Sequence, residues 1–83
     1  MRLVYFAAVR EAIGVAFETC DLPAHVRNIH DAIDWLAGQS SGHALAFQDK
    51  ARLRFALDQA MVPLDAALGD AHELAIFPPV TGG

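Results

Sequence analysis

Residues 28–38, NIHDAIDWLAG, decide the architecture of this 83-residue chain. Ile29, Ala32, Ile33, Leu36 and Ala37 recur at spacings of three and four, which lays one apolar stripe along a 3.6-residue helix. Asn28 stands before the stripe with a side chain suited to cap the first turn. Asp31 lies where the helix dipole favours a negative charge, and Gly38 is a natural stop. A helix with one apolar stripe needs a second layer to cover it, so the flanking sequence has to supply a sheet.

Upstream, LVYFAAV (3–9) is apolar on both faces, which suits a central strand. REAIG (10–14) interrupts it. VAFETCDL (15–22) then alternates, with Val15, Phe17 and Thr19 on one face and Ala16, Glu18 and Cys20 on the other, so the two segments are expected to form a hairpin around Gly14, closed by Pro23. Downstream, SSGHALAFQDK (40–50) has a small apolar centre at Leu45 and Phe47 and is expected to add one helical turn within a loop. RLRFALD (52–58) places Leu53, Phe55 and Leu57 inward and Arg52, Arg54 and Ala56 outward, and Pro63 confines MVPL (61–64) to an edge. In HELAIF (72–77), Leu74 and Ile76 share one face and Glu73, Ala75 and Phe77 the other. The order β, β, α, β, short β, β predicts an α+β domain over 1–77, a mixed sheet wrapped on one main helix, with an extended tail over 78–83.

Six Lys and Arg against ten Asp and Glu give a net charge of -4, which argues against nucleic acid and anionic membrane and favours a partner with a basic surface. No apolar run approaches the roughly 20 residues that span a bilayer. Cys20 stands alone, and Met1 leads into strand-like sequence without a signal region, so a soluble cytoplasmic protein is expected. His25, His30, His43 and His72 lack zinc-type spacing and read as surface or structural residues. Cys20 has no evident base beside it and reads as a small buried hydrophobe. The glycines form no phosphate loop, and Asp31 and Asp34 read as a solvated helical face. No metal site, no bound cofactor and no autonomous active site are expected.

The end of the chain, AIFPPVTGG (75–83), remains to be explained. Pro78 and Pro79 fix φ and cannot donate to a ladder, so the chain is expected to leave the sheet extended and stiff. Val80 and Thr81 are small, and Gly82 and Gly83 would let the backbone enter a narrow channel with the carboxylate of Gly83 leading. That carboxylate, with an ordinary pKa of about 3.3 to 3.7, is a poor acyl donor until another molecule activates it.

FPPVTGG (77–83) resembles the C-terminal signature of the small subunits of molybdopterin synthase, the MoaD-type sulfur carriers with a ubiquitin-like β-grasp fold. FAAVREAIG (6–14) is similar to that family's first strand and turn, NIHDAIDWL (28–36) to its helix, and ALDQAMV (56–62) to the segment before its last hairpin. Asp58, where the family often has Asn, and the middle from 39 to 51 depart from the pattern. The resemblance implies that an activating enzyme using ATP and magnesium adenylates Gly83, that a sulfur donor converts it to a thiocarboxylate, and that the sulfur passes to cyclic pyranopterin monophosphate held by the large synthase subunit in a heterotetramer. It also implies a docking surface beside the tail, framed by Phe6, Arg10, Met61 and Phe77. Sulfur carriage for thiamine, cysteine or tRNA thiolation, conjugation as a ubiquitin-like modifier, and a β-grasp adaptor with an idle tail are the alternatives.

Overall fold

The computed structural model describes residues 1–79. The elements run β1 (Arg2–Tyr5), α1 (Ala7–Ile13), β2 (Phe17–Thr19), α2 (Ile29–Ala37), α3 (Ser41–Ala46), a 3-10 turn (Lys50–Arg52), β3 (Arg54–Leu57), β4 (Ala60–Val62) and β5 (Glu73–Phe77). The strands form one sheet in the order β2-β1-β5-β3-β4. β1 and β5 are parallel, with Val4 opposite Ala75 and Tyr5 opposite Ile76, and the other pairings are antiparallel. A mixed sheet whose last strand enters its middle, closed over one main helix, is the β-grasp arrangement expected from the sequence.

α2 forms as its pattern predicts. Asn28 Oδ1 accepts from the Asp31 N–H at 2.8 Å, and the Gly38 N–H closes the far end on the carbonyls of Leu36 and Trp35. Ile29, Ala32, Ile33 and Leu36 are buried in one core with Leu3, Tyr5, Phe55, Leu74 and Ile76, so the inward residues of β1, β3 and β5 meet the helical stripe. Strand parity puts Leu3 and Tyr5 on this inner face and Val4 on the outer one.

Three expectations need correction. Ala7–Ile13 is a helix, not the end of a strand and a turn, and Gly14 is its left-handed C-cap at φ 97°. Ala7, Ala8, Glu11 and Ala12 are good helix formers, and Val9 at the centre is buried, so a helical signal lay inside the apolar run. β1 and β2 still pair, but across this helix and not across a tight turn. Arg52 belongs to the 3-10 turn, and outward-facing Ala56 is buried. In the 40–50 stretch a six-residue helix forms, with Phe47 and His43 buried and Leu45 left 58% exposed.

Hydrogen bonds bind α3 to the sheet. His43 Nε2 meets Glu18 Oε2 at 2.7 Å, the Tyr5 hydroxyl donates to the same oxygen at 2.6 Å, and His43 Nδ1 meets Ser40 Oγ at 2.7 Å. With Ser40 donating to Nδ1, the ring carries its proton on Nε2 and donates to the carboxylate. Burial pushes the Tyr5 phenol above its ordinary range, and the adjacent carboxylate adds to the effect. Burial also opposes the Glu18 charge, but the hydrogen bonds from Tyr5 and His43 outweigh it and hold this carboxyl below its ordinary range. Beside this cluster Gly42 lies against α1, where an added Cβ would sit 2.5 Å from the Ala12 carbonyl oxygen.

Two outcomes follow. Gly42→Ala forces the Ala12 backbone to shift and should lower stability by about 1 to 3 kcal/mol, read as a drop in the thermal midpoint. A carboxyl lowered on folding stabilises above its unfolded pKa of about 4.3, and that stability is lost as pH falls through the folded value. Glu18→Gln should therefore flatten the acid limb of the stability curve below the unfolded carboxyl range, measured by urea unfolding across pH.

Candidate functional site

The helices cover one face of the sheet. The register fixes what stands on the other. Phe17, Val4, Ala75, Ala56 and Met61 are cross-strand neighbours in one outward row that runs over all five strands. With strands about 4.8 Å apart, that row is roughly 19 Å long. Its ends are large and exposed, Phe17 at 55% and Met61 at 62%, whereas Ala75 and Ala56 in the middle are only 8% and 7% exposed. With helices confined to the opposite face, the flanking side chains shield the two alanines. The result is a shallow apolar dish with a floor of Val4, Ala56 and Ala75.

Phe6 and Phe77 form the neighbouring rim. Phe6 continues the parity of Val4, and its N–H donates to the Ile76 carbonyl at 3.3 Å. The two rings meet edge to face with centroids 6.1 Å apart. Ala7 follows in the left-handed region at φ 51°, a conformation that turns the chain from β1 directly into α1 and leaves Phe6 47% exposed on the surface. Pro78 and Pro79 continue from Phe77, both half-buried.

Of the residues expected to frame a docking surface, Phe6 and Phe77 are thus in contact. Met61 lies on the same face two strands from Phe77, roughly 12 Å away by strand spacing and rise. Arg10 is exposed on α1, four residues beyond Phe6, and its N–H donates to the Phe6 carbonyl. Val80, Thr81, Gly82 and Gly83 lie outside the described residues.

Sequence reading missed Phe17, Val4, Ala56, Ala75, Arg2 and Arg54 as parts of this face. The alternation in 15–22 was visible, but alternation does not say which side meets the core. The charge of the face also differs from that of the chain. Among the outward strand positions are Arg2, Arg54 and one acid, Glu73, which pairs with Arg2 at 3.8 Å. The Arg2 guanidinium stacks 4.4 Å from the Phe17 ring centroid. Arg54 donates to the Leu53 carbonyl at 3.0 Å. The expectation of a basic partner, drawn from the net charge, does not extend to this face, because most of the ten acids lie elsewhere.

Elsewhere, a groove of about 280 Å³ beside β3 and β4 is lined by Leu53, Phe55, Val62 and Leu64 with Lys50 and Arg54. Lys50 is held by Asp34, and this lining contains no Ser, Thr, Cys, His or carboxylate side chain. Among the described residues, no three His, Cys, Asp or Glu side chains are grouped to hold a metal ion, and no helix is long and apolar enough to cross a membrane.

The ThiS family profile matches residues 3–83. The molybdopterin synthase sulfur carrier subunit of Escherichia coli is 36% identical over 83 residues, covering 100% of this chain and 99% of the relative. The subunit of the same name from Haemophilus influenzae is 35% identical over the same spans. Among solved structures, SAMP1 from Haloferax volcanii superposes with a TM-score of 0.73 at 26% identity, covering 100% of this chain and 98% of that one. A molybdopterin converting factor subunit 1 from Pyrococcus furiosus gives the same score and identity over 95% of each chain.

Proposed function

The chain belongs to the ThiS family, and we propose that it is the sulfur carrier subunit of a molybdopterin synthase, loaded and unloaded at the carboxyl of Gly83. The observation that carries the proposal is full-length similarity to subunits of that name, ending in FPPVTGG behind a central strand. In the proposed cycle, a Gly83 carboxylate oxygen attacks the α-phosphorus of ATP on an activating enzyme that also uses magnesium, and pyrophosphate leaves. A sulfur donor then displaces AMP and leaves a thiocarboxylate. The sulfur passes to cyclic pyranopterin monophosphate on the large subunit, and water restores the carboxylate. The chain supplies the carrier arm, while its partners supply the nucleotide chemistry and the acceptor. A cytoplasmic setting fits this use.

The geometry supports the division of labour. The tail starts from β5, which is hydrogen-bonded on both sides, so its root is among the best-anchored backbone in the sheet. Phe6, Phe77 and Met61, with Arg10 beside them, offer the large subunit an apolar surface next to that root. A second reading, conjugation to lysine as a protein modifier, draws on the likeness to the small archaeal modifier SAMP1.

Top-down mass spectrometry after incubation with ATP, a sulfur donor and the activating enzyme separates these readings. Oxygen replaced by sulfur at the Gly83 carboxyl is expected; fragmentation must place it there, since oxidation of Met1, Met61 or Cys20 adds nearly the same mass. An isopeptide bond to lysine would favour the modifier, and an untouched terminus in a tube where a known carrier is modified would refute sulfur carriage. Separately, Phe77→Asp should abolish capture by the large subunit while thermal melting stays cooperative. Unchanged capture would remove the docking surface.

A further inference from the structure

The docking residues considered so far occupy the tail end of the outer face. The structure extends that face to the opposite edge, and we infer that Phe17 and Arg2 form a second anchor for the large subunit. In this arrangement an apolar side chain of the subunit seats in the Val4–Ala56–Ala75 dish while an acidic side chain meets Arg2. The inference rests on the sulfur-carrier reading and adds a contact to it.

Continuity is the first argument. Phe17 pairs directly with Val4, and Phe6 stands two residues further along the same strand, so Phe17 lies roughly 8 Å from Phe6 by strand spacing and rise. Nothing polar separates the two along this path. A partner seated on Phe6 and Phe77 reaches the dish and its far wall without a break.

Shape is the second. Val4, Ala56 and Ala75 are smaller than the residues around them, and Ala56 and Ala75 are buried between those larger neighbours. Phe6, Phe17, Met61 and Phe77 stand above this low centre, so an apolar group of the partner can pack between the larger side chains, where binding energy concentrates.

Charge is the third. Phe17 is bulky, apolar and more than half exposed, and the Arg2 guanidinium carbon lies 4.4 Å from its ring centroid. The stack holds the guanidinium at the rim of the dish, while Glu73 approaches to 3.8 Å and leaves the Arg2 side chain 52% exposed. Arg54 is paired in register with Phe77, but its guanidinium donates to the Leu53 carbonyl and the residue lines the groove beside β3 and β4, so Arg2 carries the charge at this rim. An apolar patch rimmed by arginine, on a chain of net charge -4, selects a partner surface with an apolar centre and an acidic margin.

The test measures affinity of the full chain for its purified large subunit. Phe17→Ser and Arg2→Gln should each weaken binding roughly tenfold, and the Arg2 effect should shrink as salt rises. Leu45→Ser, on α3 and equally exposed, should change nothing. A photo-crosslinking residue at position 17 should capture the large subunit, and one at position 45 should not, which covers the case of a variant that folds poorly. Full affinity in both variants, or capture only of the activating enzyme from position 17, overturns the second anchor. If Phe77→Asp still weakens binding, the first docking surface survives that result. If Phe77→Asp is silent as well, the docking reading itself fails.

Discussion

The parallel pairing of β1 with β5 is the constraint on which the rest depends. These strands come from opposite ends of the chain, and each has a further antiparallel partner on its other side, β2 for β1 and β3 for β5. Their register sets Leu3 beside Leu74 and Tyr5 beside Ile76 on the inner face, where α2 covers them. It also sets Val4 beside Ala75 on the outer face, which creates the floor of the dish. One set of backbone hydrogen bonds thus specifies the core and the docking surface together, because adjacent residues of a strand face opposite ways. The same pairing places Phe77 at the end of a strand held on both sides, so whatever follows departs from a rigid point.

The two faces divide the chemistry. Helical cover on the inner face leaves room for buried polar groups only where every one is bonded, and the Tyr5–Glu18–His43–Ser40 cluster meets that condition. On the outer face the groups remain wet, and an arginine can lie across an aromatic ring without losing its hydration. Stability is therefore concentrated on one side and recognition on the other. Changes at Phe17, Arg2 or Met61 can alter partner choice while the core stays intact.

Three residues with positive φ, at two places in the chain, show how local strain serves that division. Ala7 sits in the left-handed region where β1 gives way to α1, and the abrupt reversal leaves Phe6 free to meet Phe77. Asp58 and Gln59 both have positive φ in the β3–β4 connection, and the Asp58 carboxylate accepts the N–H groups of His72 and Glu73 at 2.9 and 3.0 Å. Both bonds end on one oxygen, Oδ1, whose two lone pairs accept them together. The strain at this hairpin is thereby tied to the start of the central strand.

Much was legible before any tertiary contact was known. The helix over 29–37 with its Asn28 cap and Gly38 stop, the inward residues of β3 and β5, and the α+β class follow from spacing alone, because periodicity and capping are local physics. The family signature FPPVTGG is likewise local. What spacing could not supply was the side of β2 that meets the core, the helix hidden in AAVREAI, and the company each charge keeps. Ala7–Ile13 has both apolar content and helix propensity, and packing of Val9 resolved the choice. Phe17 alternates as clearly as Glu18, yet only the pairing with Val4 shows that Phe17 faces out and joins the dish. Net charge is a sum over the chain, whereas a partner meets one face, and the fold alone decided that Arg2 stands on this face beside Phe17.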